Sequence, residues 1–312
     1  FISIVRDSDH WMFISSTGSL SAGRKDRNNA LFPYYTVDKI HDYNGLTGSR
    51  TYFLVQKNGK TSLWEPFTDS SAKFYKITRN LYKSIYGNKI IFEEINYSLK
   101  LIFRYGWYNS EKFGFIKKSS IGNLDKSGTT IEMLDGIQNI LPHGVDYGFQ
   151  NEYSNLLDAY KKSELVEDST LGLFILSSIP VDRAEPSEAL KATTVWSVGF
   201  DGSSQILISD KQVSNFKKGQ SVEPEFDTRA SRGAYFINEK IELIENETKE
   251  WYTIAEINQE STQVSNLSHF ISQTKELVEL INKDIEQGTL NLKKMVGFAD
   301  GFQMTNTDLC YA

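Results

Sequence analysis

Most of this chain alternates apolar and polar residues with a period of two, which is typical of half-buried β-strands. The clearest case is YSLKLIFRY at 97–105, where one face is much more apolar than the other. Asn-Gly at 58–59 and Gly-Asn at 87–88 predict hairpin turns. Extended segments are predicted at 51–56, 73–78, 89–95, 97–105, 113–118, 171–177, 193–200, 205–209, 235–244 and 251–256.

Two regions carry the three- and four-residue apolar spacing of helices. One is 150–164, with Asn151 as its expected N-cap. The other begins at Ser261, and we expect Gly288 to end it before a second short helix at 290–296.

The order of these elements predicts a mainly β protein. We expect a large antiparallel β-sandwich at 1–256, followed by a short α-helical linker at 257–312. No repeat of 20–50 residues is visible, and no Pro- or Ser-rich linker divides the β region, which favours one sandwich over two. The chain starts inside the strand-like FISIV and ends just after a helix-capping cluster at 305–308. We therefore expect it to be part of a longer polypeptide.

Composition narrows the class of protein. Of the 312 residues, 39% are hydrophobic and 24% are charged, which is a balance typical of soluble globular proteins. The net charge of −6, with scattered Lys and Arg, argues against a nucleic-acid partner. No apolar run approaches the roughly 20 residues of a membrane span. The single cysteine, Cys310, cannot form an intramolecular disulfide, and we expect a cytoplasmic location.

Catalytic motifs give little signal. The four histidines, His10, His41, His143 and His269, have no metal-ligand spacing. No nucleophile elbow, phosphate-binding loop or dinucleotide fingerprint occurs. We therefore assign no catalytic residue, no metal site and no cofactor.

Paired carboxylates could in principle cleave a glycosidic bond. The spacing does not single out a pair, and we interpret these residues as structural. The candidates are Asp135, Asp146, Asp182, Glu185 and Asp201.

Sugar binding has a better candidate, because it needs aromatic faces beside forked polar groups. The loop-rich first 40 residues supply both, and we predict Trp11, Arg24, Asn28, Tyr34 and Tyr35 as carbohydrate-binding residues. The alternative is that the aromatic residues enter the core and the polar ones form turns. In the predicted charged turn at 182–186, Arg183 is a further candidate, since its fork could clamp a carboxylate.

Three segments resemble the N-terminal region of large cellobiose-phosphorylase-like proteins, which are related to glycoside hydrolase family 94. They are GRKDRNNALFPYYTVDKI at 23–40, TIEMLDGIQNILPHGV at 130–145, and NLLDAYKKSEL with LFILSSIPVDRAEPSEALKATTVWSVGF within 155–200. The tail at 299–312 resembles the point where the linker of that family enters its barrel.

The resemblance implies an architecture of three parts. Members of that family begin with a supersandwich of the galactose-mutarotase-like type, continue through a helical linker and end in a catalytic (α/α)6 barrel. Their general acid and phosphate-binding residues lie in the barrel, so none is carried over to this chain. The elaborate first 50 residues depart from the compact phosphorylases, which leaves the substrate open.

Three functional hypotheses follow. In the first, the chain is a non-catalytic sandwich of an enzyme that acts on β-glucosides, with its own downstream barrel as partner and roles in oligosaccharide binding or homodimer formation. In the second, it is a stand-alone carbohydrate-binding module with Trp11, Tyr34 and Tyr35 as the platform. In the third, it is a mutarotase-like enzyme that uses His143 with Asp135 or Asp146.

Overall fold

The computed structural model describes residues 2–35, 37–57, 59–178, 191–200 and 204–299, and the elements named below belong to these residues. The strands are β1 Ile2–Ser3, β2 His10–Ile14, β3 Leu20–Arg24, β4 Ala30–Phe32, β5 Gly48–Lys57, β6 Lys60–Trp64, β7 Ile77–Lys83, β8 Ile90–Asn96, β9 Leu101–Ser110, β10 Gly114–Asn123, β11 Thr129–Ile140, β12 Lys161–Leu165, β13 Gly172–Leu176, β14 Lys191–Val198, β15 Gln205–Leu207, β16 Asp227–Arg229, β17 Gly233–Leu243 and β18 Thr248–Glu260. The helices are α1 Val37–Asp42, α2 Asp69–Phe74, α3 Tyr147–Glu152, α4 Ser154–Asp158, α5 Val213–Lys217, α6 Ser261–Gln273 and α7 Leu277–Phe298.

These strands form three antiparallel sheets. The largest has nine strands in the order β16-β12-β13-β14-β18-β10-β9-β8-β7. A five-stranded sheet has the order β15-β17-β11-β5-β6, and a four-stranded sheet runs β1-β2-β3-β4. The four-stranded sheet adjoins the end of β11, where the Leu141 amide donates to the Leu31 carbonyl at 2.9 Å. The predicted fold class, a mainly β antiparallel sandwich followed by helices, is confirmed.

One continuous apolar core lies between the nine-stranded sheet and the two smaller sheets. It contains Phe53 of β5, Phe103 of β9 and Trp251 of β18, each completely buried. The predicted apolar face of β17 also lies in this core, through Tyr235, Ile237, Ile241 and Leu243. Burial of these large side chains is the main stabilising term of such a sandwich.

The outer face of the nine-stranded sheet is covered by the two C-terminal helices. Leu277, Ile281 and Ile285 of α7 pack with Trp196 and Tyr252 on that face. Their spacing of four places them on one side of the helix, as the sequence pattern predicts. Within the described residues, none of the helices is both long enough and apolar enough to cross a membrane.

The predicted helix at 150–164 is wrong in its extent. Two short helices, α3 and α4, span 147–158, and 161–165 is the strand β12. The N-cap is Asp146, whose carboxylate accepts from the Phe149 amide at 2.8 Å, and not Asn151. Residues 161–165 pair with β13 and β16, so tertiary strand pairing overrides the local helical pattern.

The predicted end of the tail helix at Gly288 is also wrong. The break lies at 274–276, and α7 continues through Gly288. A β-carbon at Gly288 would lie 3.2 Å from Arg6 Nη2, so the glycine lets the Arg6 guanidinium pack closely against the helix. Close packing, and not helix termination, therefore explains this glycine.

Two strand predictions shift in the same region of the chain. The segment predicted as a strand at 73–78 contains the end of α2, which Thr68 caps by accepting from the Ser71 amide, and β7 begins only at Ile77. The strand predicted from Tyr97 begins at Leu101, because Lys100 has a φ of +57° in the preceding turn. A residue with a left-handed backbone interrupts the regular strand ladder unless a bulge accommodates it.

The close approach of β17 to Gly136 of β11 provides a test of this packing. A β-carbon on Gly136 of β11 would lie 1.9 Å from the Tyr235 carbonyl oxygen and 2.8 Å from Phe236 Cα. Because both atoms belong to the backbone of β17, Gly136→Ala should lower the free energy of unfolding by about 3 kcal/mol or more. Urea denaturation measures this. The matched control is Gly128→Ala, where the nearest atom is 3.5 Å away, and it should cost less than about 1 kcal/mol. Equal losses for the two variants would contradict the packing.

Candidate functional site

The predicted aromatic residues near the N-terminus pack on one another. The Trp11 indole lies across Gly23 of the neighbouring strand, where a β-carbon would be 2.5 Å from the ring. Its Nε1 donates to the Asp26 carbonyl at 3.0 Å. The rings of Trp11 and Tyr34 meet edge to face, with centroids 5.6 Å apart, and Tyr34 meets Tyr147 in the same way at 5.9 Å. This is a half-buried cluster of steeply inclined rings, and not one flat platform.

The remaining predicted sugar-binding residues lie in different environments. The Asn28 side chain accepts from the Tyr147 amide at 3.3 Å, so Asn28 joins the cluster with Trp11. Tyr35 is buried and its ring stacks on Tyr43 at 4.2 Å. Arg183 lies outside the described residues. The structure therefore brings three of these residues together, and their role in sugar binding stays a prediction.

Arg24 is held by two carboxylates. Its Nε and Nη2 donate to the two carboxylate oxygens of Glu256, at 3.0 and 2.5 Å, and its Nη1 donates to Asp9 at 2.8 Å. This fork joins β3 to β18, and burial raises the pKa of Glu256. Arg24 therefore links the four-stranded sheet to the nine-stranded sheet.

His10 lies directly opposite Arg24 in the β2–β3 pair. It is buried, shares a hydrogen bond with the Ser8 hydroxyl at 2.7 Å, and meets Phe115 edge to face. Burial, with the nearby charges of Arg24 and Arg6, lowers the pKa of His10 to about 2. The imidazole is therefore neutral in the folded protein at neutral pH.

The histidine–carboxylate grouping of the mutarotase hypothesis is not assembled. His143 shares a hydrogen bond with the Asn258 side chain at 2.7 Å, and Asp146 caps α3. Asp135 lies inside β11 and is completely buried. Asp135 is therefore a residue of the sandwich interior. The other candidate carboxylates, Asp182, Glu185 and Asp201, lie outside the described residues.

Asp135 is the centre of a buried polar network. Its Oδ1 accepts from the Lys117 ammonium at 2.6 Å and from the Thr51 hydroxyl at 2.5 Å. Its Oδ2 accepts from the Trp251 indole at 2.6 Å and from the Ser119 hydroxyl at 3.2 Å. Four donors from three other strands therefore satisfy one carboxylate inside the sandwich.

Lys117 is as buried as its partner, with no exposed side-chain surface. Its ammonium also donates to the Gly136 carbonyl at 3.1 Å and lies 5.7 Å from the centre of the Tyr105 ring. Burial lowers the pKa of Lys117, while the Asp135 charge opposes this shift. Burial and the same carboxylate raise the pKa of Tyr105.

An open cleft of about 410 Å³ lies next to this network. A much smaller pocket shares five lining residues with this cleft, among them Gly45 and Arg50, and we call it the inner end of the cleft. Thr51 and Tyr105 also line the inner end, so the cleft adjoins the buried network through the hydrogen bond of Thr51 to Asp135. The outer part is lined by Ser16, Thr17, Asn44, Gly45, Arg50, Phe67, Thr68, Asp69, Arg79, Asn80, Leu81 and Phe92. We call this feature the Arg50 cleft.

A second buried carboxylate holds one wall of the Arg50 cleft. Glu94 accepts from the Trp64 indole at 2.7 Å, from the Phe67 amide at 2.7 Å and from Arg79 Nε at 2.8 Å. Phe67 has a φ of +64°, which is rare for an aromatic residue. The hydrogen bond from its amide to Glu94 therefore holds the Phe67 backbone in a conformation that the loop alone would disfavour.

The chemistry available in the Arg50 cleft is that of binding. It combines a guanidinium, hydroxyls and amides with the apolar side chains of Phe67 and Leu81. Asp69 is the carboxylate found among its described lining residues. A glycosidase needs two carboxylates that flank the bond, and this lining does not provide them. No group of three or more His, Cys, Asp or Glu side chains that could hold a metal occurs in the described residues.

Sequence comparison finds no matching family model and no matching curated protein. Comparison of structures does find similar proteins. A bacterial glucoamylase complexed with acarbose has a TM-score of 0.51 at 12% identity, covering 93% of this chain and 36% of the glucoamylase. A putative kojibiose phosphorylase from the human microbiome has a TM-score of 0.41 at 10% identity, covering 90% and 31%. A polysaccharide lyase has a TM-score of 0.45 at 13% identity, covering 81% and 33%. The chain thus spans about a third of the length of each.

The likeness to the glucoamylase shows a shared fold over nearly the whole described chain. The chain is therefore similar to one region of a much longer protein.

The buried network predicts that substitutions of two neighbouring lysines lower the free energy of unfolding by different amounts. Lys117→Met should lower the free energy of unfolding by about 3–5 kcal/mol, because it leaves Asp135 buried without its counter-charge. Lys118→Met is the matched control, since Lys118 is partly exposed in its pair with Glu250, and it should cost less than about 1 kcal/mol. Adding Asp135→Asn to Lys117→Met should recover part of the loss. Urea denaturation measures all three, and similar costs for the two lysine variants would contradict the account.

The lowered pKa of His10 predicts that this residue contributes to the loss of stability at acidic pH. Its folded pKa of about 2 lies below the ordinary value of 6.5, so only the unfolded chain takes up the proton as pH falls below about 6.5. The stability contributed by neutral His10 is therefore present above that pH and is lost toward pH 2. In His10→Asn, the free energy of unfolding should fall less between pH 7 and pH 4 than in the wild type. His41→Asn, at an exposed position, is the control and should follow the wild type. An unchanged slope in His10→Asn would refute this.

Proposed function

We propose that this chain is the non-catalytic sandwich and linker region of a larger carbohydrate-active enzyme. In that enzyme it supports a downstream (α/α)6 barrel of the glycoside phosphorylase or hydrolase type that acts on β-glucosides. The single observation that carries the proposal is the fold shared with the bacterial glucoamylase, which places 93% of this chain on 36% of that protein. The sequence resemblance to cellobiose-phosphorylase-like proteins supports the same arrangement.

The end of α7 supports a contact with a further domain. Leu290, Met295 and Phe298 are 51%, 53% and 91% exposed, although the first half of the same helix is packed on the sheet. Met295 and Phe298 are three residues apart and therefore neighbours on the helix surface, and an exposed apolar patch is typical of an interaction site. We propose that these three residues contact the barrel.

A stand-alone carbohydrate-binding module is the second candidate. The Arg50 cleft favours it, because ring faces beside hydroxyl, amide and guanidinium groups suit a saccharide. The cluster of Trp11, Asn28 and Tyr34 is a further surface for this hypothesis. The two candidates differ in whether this chain needs another domain for its activity.

The test compares this chain with the complete polypeptide encoded by its gene. We expect the complete polypeptide to release glucose or glucose 1-phosphate from cellobiose or laminaribiose, and this chain alone to release neither. Turnover by this chain alone would contradict the non-catalytic assignment. A complete polypeptide without a barrel would favour the binding module.

The helix contact is tested with Leu290→Glu combined with Met295→Glu. In this chain alone, the pair should change the free energy of unfolding by less than about 0.5 kcal/mol per site, because both residues are exposed. In the complete polypeptide it should lower the thermal unfolding temperature and the activity. Lys293→Glu, exposed on the same helix, is the control for added negative charge. If the double variant behaves like this control in the complete polypeptide, α7 does not contact the barrel.

A further inference from the structure

Arg50 differs from the other arginines in the described part of the chain. Six of them lie within ion-pair distance of a carboxylate, and Arg27 lies over the Tyr147 ring at 4.3 Å. Those six are Arg6, Arg24, Arg79, Arg104, Arg229 and Arg232. Arg50 has no such partner among the described residues, and its Nε is buried without a hydrogen bond.

We propose that the Arg50 cleft binds an acidic saccharide whose carboxylate pairs with Arg50. The saccharide part of this inference rests on the proposed function, and the carboxylate part rests on the geometry of the cleft. A partly buried guanidinium without a counter-charge is costly, and an anionic ligand offsets that cost.

The guanidinium is held where a ligand can reach it. It packs against Gly45, where a β-carbon would lie 2.9 Å from Nη2 and 3.3 Å from Nη1. Both residues line the outer and the inner parts of the Arg50 cleft. Gly45 has a φ of +81°, so a glycine serves both the turn and the close approach of the guanidinium. Arg50 is therefore positioned by the backbone and not by an acidic partner.

Two further polar groups at the inner end, on Tyr105 and Asn44, can donate hydrogen bonds. The Tyr105 hydroxyl lies there, and no hydrogen bond to it is found in the described residues. Because burial raises the pKa of Tyr105, the hydroxyl keeps its proton and donates at neutral pH. Asn44 adds an amide at the same place, with its carbonyl oxygen occupied by the Ser19 hydroxyl. A carboxylate, which only accepts hydrogen bonds, complements this set.

The outer part of the cleft is suited to a sugar ring. Phe67 and Leu81 give apolar surfaces, while Thr17 and Asn80 give polar groups beside them. A pyranose presents the same combination of C–H faces and hydroxyls, and the volume of about 410 Å³ lies within the range of ligand sites. Among the described residues that line the cleft, Arg50 is the guanidinium without a carboxylate partner, and its single charge matches a carboxylate better than the charge of nearly −2 on a phosphate monoester.

The experiment uses two ligands that differ only at C6. Methyl β-D-glucuronide carries a carboxylate where methyl β-D-glucoside carries a hydroxymethyl group, and acetate supplies the carboxylate without a sugar. Titration of the ¹⁵N-labelled chain follows the Arg50 Nε–H signal, which needs no substitution. We expect the glucuronide to shift this signal and to bind about tenfold or more tightly than either other ligand.

Arg50→Gln should weaken glucuronide binding by about tenfold or more. Arg229→Gln is the matched control, because Arg229 is an exposed arginine outside the cleft, and it should leave the affinity unchanged. A shift of the Arg50 signal with this pattern of affinities supports the proposal.

Three results would overturn it. Equal binding of the glucoside and the glucuronide would show that the cleft does not recognise the carboxylate, and the proposed function would be unaffected. Binding of acetate as tight as that of the glucuronide would show that the cleft does not recognise the sugar. No shift of the wild-type Arg50 signal with any of the three ligands would show that the cleft is not their binding site. None of these results depends on the barrel, so failure here and failure of the proposed function are distinguishable.

Discussion

The buried carboxylate of Asp135 is the constraint on which the rest of this sandwich depends. A charged carboxylate inside an apolar core is strongly unfavourable unless its oxygens are paired and hydrogen-bonded. Here the pairing comes from Lys117, and the remaining donors come from Thr51, Ser119 and Trp251. Two of the strands that supply donors, β10 and β18, belong to the opposite sheet, so the network joins the two layers of the sandwich.

The same network fixes strand register. Thr51 lies directly opposite Asp135 in the β5–β11 pair, and Ser119 lies directly opposite Trp251 in the β10–β18 pair. A slip of one residue in either pair would turn a donor to the other face of its sheet. The slipped pairings would leave a buried charge with fewer partners, which selects the observed pairing over its neighbours.

The Asp135 network and the strand register that it fixes also determine the shape of the Arg50 cleft. Thr51 and Tyr105 touch the network and also line the inner end of the cleft. Arg50 immediately precedes Thr51 in β5, so the register that places Thr51 against Asp135 also sets the position of Arg50. Glu94 likewise fixes the position of a lining residue, because it accepts a hydrogen bond from the Phe67 amide. Two buried carboxylates therefore organise the site without lining it.

The sequence predicts the fold better than the site. The alternation in β17 and the spacing in α7 are local, and burial follows both. The predicted helix end at Gly288 is misplaced because this glycine packs against Arg6, which is far away in the sequence. Strand β12 is missed because it forms by pairing with β13, which a local pattern does not reveal. Lys117 and Glu94 leave only a weak signal, since each stands next to a second charged residue of the same type, Lys118 or Glu93. Arg50 leaves no signal in the sequence, because only the folded structure shows which carboxylates lie close to each arginine.

Native-state hydrogen exchange tests most directly whether the Asp135 network is the central constraint. If it is, the amides of β5, β10, β11 and β18 around Thr51, Lys117, Asp135 and Trp251 should exchange only through global unfolding. Their free energy of opening should then equal that of complete unfolding and fall with urea at the same slope. Exchange of these amides through a local opening of lower free energy, while the outer strands stay protected, would contradict the account.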